Sequence, residues 1–94
     1  TFKTFLGKPD VQIVDVRGLT EYNDGHVEGA ENIFVGTLQD NLSKINKDKQ
    51  VVIYCQAGDR AAIAYSILKR NGFEDVKNYA GGMKEWLLNG GKTA

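Results

Sequence analysis

Three short apolar runs alternate with longer amphipathic stretches along this chain. Gln12–Val16 (QIVDV) and Val51–Cys55 (VVIYC) are rich in β-branched residues and predict strands. VVIYC is apolar without alternation, the pattern of a parallel strand covered on both faces. Val76–Tyr79 (VKNY) predicts a shorter third strand. Between these runs the period changes. Gly58–Asn71 places Ile63 over Ile67 and Ala64 over Leu68, so the four share one helix face. Gly72 follows as a stop signal. Thr37–Ile45, with Leu38, Leu42 and Ile45 in a stripe, and Gly82–Leu88 predict two shorter helices, and Asn46–Lys49 a polar turn. Such an alternation predicts an α/β fold, a parallel β-sheet flanked by helices on both faces. No internal repeat or linker interrupts the chain, so residues 1–94 read as one domain.

Composition narrows the picture. Twelve acidic and twelve basic residues cancel, which gives no reason to expect nucleic acid or an anionic membrane as partner. No apolar run approaches the roughly 20 residues that span a bilayer, and no signal peptide opens the chain. The chain begins at Thr1 rather than Met, which fits a fragment of a longer protein or a trimmed end. A single cysteine excludes an internal disulfide, a multi-cysteine zinc site and a Cys-x-x-Cys redox pair. It fits a reducing, cytoplasmic compartment, where a lone cysteine is either buried filler or a nucleophile.

The position of that cysteine favours chemistry. Cys55 ends the clearest strand, and ligands gather at the carboxyl ends of strands in open parallel sheets. The turn that follows, Gln56–Arg60, leads into a helix whose first N–H groups lack intrahelical partners. Gly58 gives that turn the backbone freedom to form a concave anion site. A sulfur over such a ring of donors is favoured as thiolate, helped by the helix dipole and by Arg60. Asp59 is expected to point outward. Thiolate and guanidinium around one anion-binding loop suit attack on an anionic substrate. The reading requires a sulfur open to solvent with donors aimed at it.

Four blocks carry a resemblance to a known family. They are Ile13–Arg17 followed by Glu21-Tyr22 and Gly25-His26; Gly29–Ile33; Cys55–Ala61; and Gly81–Met83 followed by Trp86. In this order and spacing the chain resembles a rhodanese-like domain over nearly its whole length. The resemblance implies a sulfurtransferase. Cys55 would take a sulfane sulfur from thiosulfate or a persulfide, carry it as a persulfide, and pass it to cyanide or a thiol. Arg60, with Gln56, Ala57, Gly58 and Asp59, would bind the donor, and no metal or organic cofactor is implied. Rhodanese-like domains are often fused to persulfide dioxygenases or flavin disulfide reductases, so a fused or partner domain belongs to the expectation. Two departures stand out. Glu28 occupies a position where the family often has proline, and little chain precedes the first block, with Phe2, Phe5 and Leu6 as candidates to rebuild that edge.

Two other readings compete. A cysteine phosphatase or arsenate reductase of related fold would carry one residue more between cysteine and arginine, whereas Gln56–Asp59 separate them here. A non-catalytic docking or regulatory module is the other, and the presence of Cys55 weighs against it. Among the remaining marked residues, Asp15 and Arg17 are read as braces between loops, His26 as part of a structural turn, and Trp86 and Tyr79 as core. Gly81-Gly82 is read as a turn that brings backbone close to the site.

Overall fold

The computed structural model describes residues 10–91 and 93–94. Four parallel strands form one sheet in the order β2-β1-β3-β4: β1 Val11–Asp15, β2 Glu31–Asn32, β3 Gln50–Tyr54 and β4 Val76–Asn78. The helices are α1 Leu19–Asn23, α2 Asp59–Arg70 and α3 Gly82–Leu88, with a 3-10 segment over Val35–Lys44. The three predicted strands lie where expected, with β1 and β3 shifted by one residue at both ends and β4 one residue shorter. Val16, Cys55 and Tyr79 fall just beyond their strands, yet the backbone pairing runs past two of these ends. Val16 N–H donates to Tyr54 O at 3.0 Å and Tyr79 N–H to Ile53 O at 2.9 Å.

The two-sided apolar run of β3 is explained by the packing. Val51, Ile53 and Cys55 face a cluster with Val14, Leu38 and the α2 residues Ala61, Ala64 and Leu68. Val52 and Tyr54 face the opposite cluster with Ile13, Val27, Met83 and Trp86 of α3. Helices therefore cover both faces of the sheet, as the pattern predicts.

Three expectations need correction. Ile63 was expected on the buried stripe of α2 but is 57% exposed, and Ala61 takes the place at the sheet. The spacing of Ala61, Ala64 and Leu68 follows the same helical period, shifted to the narrower side chains that let α2 lie close. The segment around Thr37–Ile45 is 3-10 and breaks at Asn41, whose φ of −123° is not helical. Its buried residue, Leu38, anchors it without a full α-helical face. Last, α1 and β2 have no counterpart among the predicted elements. The expectation for Phe2, Phe5 and Leu6 lies outside the described residues.

Candidate functional site

Cys55 follows β3 directly, and the loop Cys55–Arg60 carries the chain into α2. Gly58 caps that helix at φ +104°, a left-handed conformation that side chains with a Cβ resist. A Cβ there would also meet Ala80 O at 2.7 Å. The resulting tight turn folds back on the sulfur. Gly58 N–H donates to Cys55 Sγ at 2.9 Å, and Sγ lies 3.8 Å from Asp59 Oδ1, toward which a thiol hydrogen can point.

The outer side of the loop is held by the start of α3. Met83 N–H donates to Cys55 O at 2.8 Å and Lys84 N–H to Gln56 O at 3.2 Å. Gly82, at φ +59°, makes this approach tolerable, because a Cβ on it would stand 2.2 Å from Cys55 O. Gly81-Gly82 thus brings backbone against the loop, as expected. With its carbonyls engaged by α3, the loop has its Gly58 amide turned toward the sulfur.

Arg60, the second residue of α2, reaches across to α1. Its Nη1 and Nη2 donate to Glu21 Oε1 and Oε2 at 2.5 and 3.0 Å, a two-pronged pair. Glu21 Oε1 also accepts the Gly18 N–H at 3.3 Å. The bond from Arg60, ahead of any other cause, holds the Glu21 carboxyl below its usual range. The same bond raises Arg60, with smaller contributions from the charges of Glu21, Cys55 and Asp59.

Two expectations about the sulfur are not met. Cys55 was expected open to solvent and is 0% exposed, because it packs into the cluster beneath α2. A ring of amide donors was expected, and among the described residues one loop amide, that of Gly58, bonds Sγ. Asp59 departs from expectation as well. It is exposed, but its carboxylate turns toward the sulfur instead of away, at the point where the loop has folded back over Cys55. Gln56 and Ala57 are exposed on the rim of the loop.

Asp15 and Arg17 stand beside this loop and form a separate, closed network. Arg17 Nε donates to both Asp15 oxygens at 3.1 and 3.0 Å, and Nη2 to Oδ2 at 2.8 Å. Nη2 also donates to Gly25 O at 2.8 Å, which ties the turn after α1 to β1. Tyr54 Oη donates to Asp15 Oδ2 at 2.8 Å and accepts the Val27 N–H at 3.0 Å. Burial first, and then the Asp15 charge, pushes the Tyr54 hydroxyl well above its ordinary pKa. For Arg17, burial is the largest single influence and opposes the charge, but the Asp15 bonds and charge, with help from Tyr54 and Glu21, outweigh it. The brace reading of Asp15 and Arg17 agrees with this geometry. His26 stacks on Tyr22 at 3.6 Å between centroids, with Nδ1 2.8 Å from Tyr22 O, as suits a structural turn. Glu21 is the site residue to which sequence reasoning assigned no role. It sits in the first motif block, but nothing local links it to an arginine so far along the chain.

Comparison with known proteins bears on the family and the fold. YqhL of Bacillus subtilis is 38% identical over 86 residues, which cover 92% of this chain and 66% of YqhL. A tRNA uridine(34) hydroxylase of Escherichia fergusonii is 38% identical over 87 residues, covering 86% of this chain and 25% of that protein. The chain thus spans less than two thirds of either relative. The structure of a human single-domain sulfurtransferase superposes with a TM-score of 0.81 at 29% identity, covering 93% of this chain and 89% of that one. The family model for the rhodanese-like domain matches residues 1–89, and the chain belongs to that family.

Proposed function

We propose that this domain moves a sulfane sulfur from thiosulfate or a persulfide to a thiophilic acceptor, cyanide or a thiol. Cys55 carries the sulfur as a persulfide in between. The observation that bears most weight is the placement of Sγ at the carboxyl end of β3, accepting the Gly58 N–H at 2.9 Å where α2 begins. A donor amide held at that position stabilises negative charge on sulfur. The family and its sulfurtransferase neighbour support the same reading. Cys55 is buried where the sequence reading required an open sulfur, so sulfur transfer needs one added step: the exposed Gln56–Ala57 rim must shift to admit a donor. A lone thiol suits a reducing cytoplasm, and in a longer parent protein the sulfur would pass to or from a fused or partner domain.

The test is intact-mass measurement after incubation with thiosulfate or a persulfide and removal of excess. A gain of one sulfur atom, absent in Cys55→Ser, is expected. The burial of Cys55 favours one other reading, a docking module that performs no chemistry. No mass gain from either donor, in a protein that remains folded, would decide for docking. Hydrolysis of para-nitrophenyl phosphate without sulfur gain would point instead to a phosphatase.

A further inference from the structure

The acids around the loop assign a direction to its donor preference. Arg60 is the one arginine in the loop, and each of its terminal nitrogens donates one N–H to Glu21. Asp59 places a second carboxylate 3.8 Å from Sγ. Arg60, Glu21 and Asp59 together carry a formal charge of +1 − 1 − 1 = −1. Lys84 and Glu85, in the first turn of α3, add one charge of each sign and leave that balance unchanged. An anion approaching Cys55 therefore meets a net negative rim, and two of the five guanidinium N–H groups that would welcome it are already turned to Glu21.

Building on the sulfur-transfer reading, we propose that Glu21 and Asp59 are specificity determinants. They select donors by charge, against the thiosulfate dianion and in favour of alkyl persulfides that bring one negative charge or none. Glu21 acts through Arg60, as a positioning residue, and Asp59 acts directly on the approaching donor. The two half-reactions show what is discriminated. With a persulfide, the Cys55 thiolate attacks the outer sulfur of R–S–SH. The bond from that sulfur to R–S breaks, R–S⁻ departs with the electron pair, and Cys55 becomes Cys–S–SH. With thiosulfate the same attack expels SO₃²⁻ and leaves Cys–S–S⁻. Neither route consumes an external oxidant or reductant. The thiosulfate route, however, brings two negative charges to the rim where the persulfide brings at most one.

The probes are thiosulfate and cysteine persulfide, with the rate of Cys55 loading followed by intact mass at several donor concentrations. The readout is the ratio of kcat/KM for the two donors. In Glu21→Gln and in Asp59→Asn the ratio should move toward thiosulfate by about five- to tenfold, the scale of one partly exposed charge near the donor. The gain should fall mainly on KM for thiosulfate. In the unsubstituted protein, added salt should speed loading by thiosulfate more than loading by persulfide, because screening weakens the repulsion. This arm needs no variant and guards against misfolding. Loading by both donors with an unchanged ratio in both variants, and no salt effect, overturns the charge selection and leaves sulfur transfer standing. Loading by neither donor overturns both.

Discussion

The Arg17–Asp15 and Arg60–Glu21 pairs are built from the same two chemical groups, on neighbouring elements at one end of the sheet. Their surroundings separate them. The side chains of Arg17 and Asp15 are 5% and 0% exposed, whereas those of Arg60 and Glu21 are 29% and 41% exposed. Inside, every contact is doubled: Asp15 also accepts from Tyr54 and from the Arg17 backbone, and Arg17 also donates to Gly25 O. Outside, the pair has water as an alternative partner. A buried pair costs much to break because each charge is left without solvent, while an exposed pair exchanges one partner for another at small cost. The first therefore holds β1, β3 and the Gly25 turn in register, and the second remains adjustable beside the sulfur.

Substitutions should separate the two pairs by size of effect. Asp15→Ala leaves the Arg17 guanidinium buried and unpaired, and should lower stability by about 3–5 kcal/mol in urea unfolding. A loss under 1 kcal/mol would mean that water enters and that the contrast with the outer pair is false. Tyr54→Phe removes one donor to Asp15 and strands the Val27 N–H, which should cost about 1–2 kcal/mol by the same measurement.

At the outer pair, Glu21→Gln should cost less than about 1 kcal/mol of stability, so that its main effect is on the choice of donor. The pH dependence sharpens this. Because Arg60 lowers the Glu21 carboxyl below its ordinary value, the contribution of the pair is complete above that value and fades as pH falls through the depressed one. The small stability gap between the unsubstituted protein and Glu21→Gln, read by thermal melts, should therefore close below about pH 4. A gap that widens in acid would show that Arg60 is not what sets the Glu21 carboxyl.

The inner pair is more legible from sequence than the outer one. Asp15 and Arg17 sit two residues apart at a strand end, so a bond between them needs only local geometry. Glu21 and Arg60 meet through tertiary packing, across 39 positions of chain. The same distinction explains the elements. β3 and α2 declare themselves because each buries a run or stripe of apolar side chains. α1 buries none of its five residues and β2 has only two, so neither leaves a pattern to read. Around Cys55, the strand, the turn and the helix start follow from local rules, and Gly58 is placed by them. The burial of the sulfur does not follow from them. It comes from α2 lying close through Ala61 and Ala64, a matter of how near two elements approach. The turn of Asp59 toward Sγ is a side-chain orientation on an exposed residue, and its residue type is compatible with either direction.

The grip of α3 on the loop has a consequence for how the domain matures. Cys55 leaves the ribosome ahead of the amides of Met83 and Lys84 that hold its carbonyl and its neighbour's. Until those amides dock, the Cys55 and Gln56 carbonyls lack the partners that fix the loop. The shape of the loop around the sulfur is thus tied to late assembly, and a nascent or nicked polypeptide lacking α3 would retain the cysteine without the amides that hold its loop.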